Sequence, residues 1–205
     1  PALKLKLRVR RNPKLSRVGG SYYMGIQILS RGLSTTLGIG VLLASMTAAT
    51  GAVMYQVNVD TSSLNGSLGN INFQFNPGGS SQSAFVTITG FSSAGGALGG
   101  APALTGSVSG ALPGAVTINN TTAFNDYFHA FTFGTSLQFV LTLDGPAIQS
   151  PNGTATSGST FGLAFFDAAG VTPLLTTDPF GFAGLVEVAL DGTTSTTAFP
   201  ASAGN

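Results

Sequence analysis

Cysteine and tryptophan are absent from this 205-residue chain, histidine occurs once, and only 7% of the residues are charged. Without cysteine there is no disulfide framework, no thiolate metal site and no cysteine nucleophile. Basic residues are missing from most of the chain. All eight (Lys4, Lys6, Arg8, Arg10, Arg11, Lys14, Arg17 and Arg31) fall before residue 32, and the seven acids, from Asp60 to Asp191, all come later. Residues 53–205 therefore carry a formal charge of −7, although the whole chain sums to +1. A surface of that sign repels a phosphate backbone, so nucleic acid is not a partner. The same lack leaves no P-loop lysine, no arginine clamp and no Schiff-base amine, which argues against phosphoryl transfer and imine chemistry.

A long apolar run is missing as well. The most apolar stretch, around residues 37–46, is thinned by glycines and followed by Ser45, Thr47 and Thr50, whereas a membrane span needs about 20 predominantly apolar residues. What stands there has the plan of a secretory signal peptide over residues 24–52: Arg31 in front, an apolar centre, then small residues. Cleavage after Ala52 places Thr50 and Ala52 at the −3 and −1 positions. Residues 1–23 read as a translated leader or a basic extension. Gly19-Gly20 can be encoded by a purine-rich ribosome-binding sequence, and Ser21, Tyr22 and Tyr23 then form the spacer before a start codon at Met24.

What is plentiful lies after residue 52. All fifteen Phe are there, and a domain of about 150 residues can bury about 68–70% of its unfolded surface around one core. Apolar and polar residues alternate with period 2 in segments 53–59, 72–76, 83–89, 115–119, 128–133, 136–144, 160–166 and 185–190, which predicts eight or nine strands. Gly, Pro, Asn and Asp punctuate them, as in Asn76-Pro-Gly-Gly, Pro151-Asn-Gly and Asp191-Gly. Alternation needs only one covered face, so the expected fold is all-β: an antiparallel β-sandwich of jelly-roll type spanning 53–199, preceded by a signal-peptide helix, with 200–205 opening a C-terminal linker. The Gly-rich stretch 90–114 reads as a long loop or two poor edge strands.

Chemistry-bearing motifs are few. His129 is the only candidate base, and no Gly-x-Ser-x-Gly elbow accompanies it, so it reads as a half-exposed strand histidine on the same side as Tyr127 and Phe131. Asp60-Thr-Ser resembles the tripeptide of aspartic proteases, with Asp191-Gly-Thr a faint second copy; both also suit an Asx-type turn. Oxygen ligands would suit calcium, yet the acids are scattered singly, so no metal site and no cofactor is expected.

A succession of short motifs carries a resemblance. Tyr55-Gln-Val-Asn-Val-Asp-Thr-Ser, Phe73-Gln-Phe-Asn-Pro-Gly, Leu112-Pro-Gly, Asn125-Asp-Tyr-Phe, Phe131-Thr-Phe-Gly, Phe165-Phe-Asp, Pro173-Leu-Leu-Thr-Thr-Asp-Pro and Asp191-Gly-Thr follow one another in the order found in bacterial exported proteins of the PEP-CTERM class. The resemblance implies an exported protein of Gram-negative bacteria, sorted by an exosortase and associated with extracellular polysaccharide, at the outer cell surface or outside the cell. It brings no catalytic residue. The Pro-Glu-Pro signal, apolar span and basic cluster of that class do not occur in the sequence, which runs to Asn205. The membrane is then met only through the signal peptide or through an anchor that the sequence lacks.

Two functions follow as expectations. One is a structural or adhesive component of the cell surface or matrix, without catalytic activity, whose partners are extracellular polysaccharide or surface components. The other is a carbohydrate-binding module. Its candidate ligand-binding residues are Asp126, Tyr127, His129 and Asp178, with Phe166, Phe180 or Phe182 serving as platforms in place of the missing tryptophan.

Overall fold

The computed structural model describes residues 41–47 by their backbone and residues 51–200 in full. The leader at 1–23, the signal-peptide residues 24–40 and 48–50, and the linker from 201 onward lie outside the described residues.

Fourteen strands occur among the described residues: β1 (Val41–Thr47), β2 (Val53–Asp60), β3 (Leu68–Pro77), β4 (Phe85–Ala94), β5 (Ala97–Leu98), β6 (Ala103–Thr105), β7 (Val108–Gly110), β8 (Val116–Asn119), β9 (Asp126–Thr132), β10 (Ser136–Asp144), β11 (Ser159–Asp167), β12 (Pro173–Leu174), β13 (Phe182–Val188) and β14 (Thr194–Ala198). All pairings are antiparallel. A six-stranded sheet runs β1-β2-β10-β4-β8-β7, and an eight-stranded sheet runs β14-β13-β11-β3-β9-β5, with β12 on β11 and β6 on β9.

Period-2 alternation decides which face of each strand is buried. On β10, Leu137, Phe139, Leu141 and Leu143 are buried; on β3, Ile71, Phe73 and Phe75; on β11, Phe161, Leu163 and Phe165. These inner faces meet in one core. Phe73 of one sheet lies edge-on to Phe139 of the other at 5.2 Å, and stacks with Tyr127 at 5.8 Å and Phe161 at 6.1 Å. Each such side chain fully removed from water contributes about 1.5–3 kcal/mol. A two-sheet antiparallel β-sandwich is thus the fold.

Several elements differ from the sequence expectation. Val41–Thr47 is a strand where the apolar part of a signal-peptide helix is expected. It pairs with β2 without a break, from Val41↔Val59 to Thr47↔Val53, because β2 offers a row of otherwise unpaired backbone groups. Stretch 90–114 holds three short strands, β5 and β6 on β9 and β7 on β8, so it crosses between the sheets twice. β12, β14 and a one-turn helix at Pro146–Gln149 have no periodicity to announce them.

Two bulges re-aim side chains. Gly90 has φ +63 and falls where β4 gains a residue against Gln138 and Val140 of β10, which turns Phe91 inward onto Phe131 at 6.0 Å. On β13, Leu163 pairs with Gly184 but Ala164 pairs with Phe182, leaving Ala183 as the extra residue. Ala183 is buried, and Phe182 is thrown to the outer face.

Candidate functional site

The outer face of the eight-stranded sheet carries a column of amides. Asn70, Asn72, Gln74 and Asn76 occupy four successive outward positions of β3, between the buried Gly69, Ile71, Phe73 and Phe75. Cross-strand register sets their neighbours. Gln74 lies between Gly162 on β11 and Asp126 on β9; Asn72 lies between Ala164 and Phe128; Asn76 faces Thr160.

The amides are hydrogen-bonded head to tail. The Asn125 N–H donates to Asn76 Oδ1 (2.7 Å), Asn76 Nδ2 donates to Gln74 Oε1 (3.1 Å), and Gln74 Nε2 donates to Asn72 Oδ1 (3.0 Å). Asn72 Nδ2 donates to Asp126 Oδ1 and also reaches the Tyr127 carbonyl at 3.3 Å. A backbone donor at one end and a carboxylate acceptor at the other fix the orientation of every amide between them. Burial pushes the Asp126 carboxyl above its ordinary value, and the hydrogen bonds from Asn72 and Gln74 offset only part of this.

Beside the column lies an open groove of about 250 Å³, lined by Gln74, Asn76, Thr160, Gly162, Asp178, Phe180, Phe182 and Leu185. Pockets for drug-sized ligands run from about 300 to 1,000 Å³, so this one suits a single ring-sized group. Gly162 makes room for its floor: a Cβ there would stand 2.4 Å from the Phe182 ring, so only glycine lets that ring lie down on β11. The far wall is a tight turn from Asp178 to Gly181, closed by the Gly181 N–H to the Asp178 carbonyl at 3.0 Å, with Pro179 at its second position. Asp178 Oδ2 accepts from the Phe182 N–H (3.0 Å), and Thr176 Oγ1 donates to the Phe182 carbonyl (2.5 Å). Phe180, at the tip of this braced turn, is 82% exposed.

Of the residues singled out in the sequence, Asp126, Asp178, Phe180 and Phe182 come together here, with Asp126 meeting the groove through Gln74. Phe166 lies farther along the same face, 5.9 Å from Phe128. Tyr127 and His129 do not join them. They point inward, 0% and 3% exposed, so His129 is a buried histidine and not a half-exposed one. Both are saturated: Tyr127 O–H donates to His129 Nδ1 at 2.7 Å, and His129 Nε2 donates to the Gly100 carbonyl at 2.6 Å. Neither has an atom free for a ligand. Ala52 lies in the connection between β1 and β2.

Asp60 and Asp191 each serve a local turn. Asp60 Oδ1 accepts from the Ser62 N–H (2.9 Å) at the end of β2, and Asp191 Oδ1 from the N–H (3.0 Å) and hydroxyl (2.6 Å) of Thr193 between β13 and β14. Among the described residues, no three of His, Cys, Asp or Glu gather as a metal-holding group. Asn72, Gln74, Asn76, Thr160, Gly162 and Leu185 are site residues that motif reading missed. The signal for the amides was present: Asn, Asn, Gln and Asn at alternate positions 70, 72, 74 and 76.

Fold and site define an antiparallel sandwich with an amide-lined, Phe-walled groove on one outer face. No protein-family model, curated protein or solved structure matches the chain.

Proposed function

We propose that this is an exported, non-catalytic cell-surface or extracellular-matrix protein of a Gram-negative bacterium that adheres to polysaccharide through the groove on its eight-stranded sheet. The observation that carries the reading is the amide column beside Phe180 and Phe182 on a rigid sheet. A sugar ring offers hydroxyls that both donate and accept, and apolar C–H faces. Oriented amides match the first, and an exposed ring matches the second. Export rests on the signal-peptide pattern ending at Ala52, and assignment to the exosortase-sorted PEP-CTERM class on the ordered motifs from Tyr55 to Thr193. A jelly-roll type of connectivity fits a chain that passes from one sheet to the other at most of its connections, as from β2 to β3 to β4.

Affinity electrophoresis through gels containing soluble polysaccharides tests the reading. Retardation by at least one polysaccharide is expected, and Phe180→Ala should reduce it about tenfold or more while leaving the circular dichroism unchanged, since that side chain is held by nothing but its turn. Free migration of the wild-type protein in every gel would remove the proposal.

A further inference from the structure

We infer that the groove selects uncharged saccharides, and that Asp126 and Asp178 are the residues that reject acidic ones; this rests on the polysaccharide-binding reading above. Three features of the site combine. First, the carboxylates are placed around the amides and not at random. Asp126 stands opposite Gln74 on β9, Asp178 lines the groove, and Glu187 stands in register with Thr160, which faces Asn76. Second, nothing can pair with an incoming carboxylate or sulfate, because no Lys or Arg occurs anywhere in residues 53–205 and the lone His129 is buried and engaged. Third, the amides cannot turn to compensate. An acceptor-only group needs converging N–H donors, but the column spends one N–H of each amide on the next and points the series toward Asp126. What remains toward the groove is a mixture of the second N–H groups of Gln74 and Asn76 and amide oxygen lone pairs, which a neutral hydroxyl satisfies in either sense.

Like charges set this close in a partly desolvated site repel strongly, and such repulsion is how binding sites discriminate between ligands of similar shape. An acidic ligand therefore meets two carboxylates with no cation between them. Phe180 and Phe182 do not offset this, because a ring face is the negative end of the aromatic quadrupole.

The test is a glycan array of matched pairs, in which each neutral hexose oligomer is spotted beside its uronate: glucose with glucuronate, galactose with galacturonate, mannose with mannuronate. The expected result is retention of at least one neutral member and at least about tenfold weaker binding of its uronate partner at low salt. Asp126→Asn and Asp178→Asn, each isosteric and tested separately, should narrow that gap by admitting the uronate, with little change toward the neutral member. Raising the ionic strength should narrow it in the wild type, because repulsion at a site open to solvent is screened. A uronate bound as tightly as its neutral partner, or a gap that neither substitution moves, overturns the selectivity while the binding reading stands. An array with no bound member in any pair removes the binding reading, and the selectivity with it.

Discussion

Tyr127 ties the Gly-rich segment to the core through one oxygen. Its hydroxyl accepts from the Leu112 N–H (3.0 Å) and donates to His129 Nδ1 (2.7 Å), and His129 passes the series on to the Gly100 carbonyl. Burial pushes the Tyr127 phenol above its ordinary value, so it stays protonated and keeps both roles. Among the described residues no buried side-chain nitrogen or oxygen lacks a partner, and this hydroxyl accounts for two otherwise stranded groups. Tyr127→Phe leaves the Leu112 N–H and His129 Nδ1 buried and unpaired. It should destabilise the fold by about 1–3 kcal/mol in urea unfolding, with glycan retention in the native state unchanged. A loss well under 1 kcal/mol would mean that water or local movement repairs the series. Part of this was legible: alternation places Tyr127, His129 and Phe131 on one side of β9, and all three are buried. The partners were not, because Gly100 and Leu112 belong to a stretch whose path is set by edge pairing and turns, not by periodicity.

Among the elements, β3 and β13 show how far alternation reaches. On β3 it holds for ten residues, so Phe73 and Phe75 in the core and Gln74 and Asn76 in the groove all follow from the pattern. On β13 it fails at Ala183. Simple extrapolation from Val186 and Val188 would bury residue 182, whereas the bulge turns Phe182 outward and makes it a wall of the site. A bulge is one unpaired residue, and nothing in seven residues of sequence marks where the slip falls. The β2 edge carries a prediction of its own. Cleavage after Ala52 would remove β1 and expose the full row of unpaired N–H and C=O groups that β1 covers, on a strand with no Lys, no Pro and no bulge to protect it. A chain beginning at Val53 should therefore self-associate in light scattering, and Asn58→Lys, which places a charge on that edge strand, should return it to monomer. A chain from Val53 that is monomeric at high concentration would show that the edge needs no cover.

Across the whole molecule, the acidic surface has groups whose protons are linked to stability with opposite signs. Asp60, Asp167 and Asp191 are held below the ordinary carboxylate range by hydrogen bonds: Asp60 from Ser62, Asp167 from the N–H groups of Val171 and Thr172, Asp191 from Thr193. Each adds stability that is present above the unfolded-chain value and disappears as pH falls through the lowered one. Exposure to solvent keeps each contribution small. Asp126 has the reverse sign. Its folded pKa lies above the unfolded value because burial disfavours the charge, so ionised Asp126 subtracts from stability at neutral pH, and the loss is relieved as pH falls through the raised value. Asp126→Asn keeps an oxygen to accept from Asn72 and removes the charge. Its urea midpoint should exceed that of the wild type at neutral pH, and the two should converge below the ordinary carboxylate value, where the wild-type group is protonated. Asp60→Asn is the control, because it relieves the same unit of net negative charge but discards a favourable hydrogen bond to a carboxylate. If general self-repulsion among the seven acids governed stability, both substitutions would stabilise by similar amounts. If local environment governs it, Asp126→Asn rises while Asp60→Asn falls, and only the first difference fades as the solution is acidified.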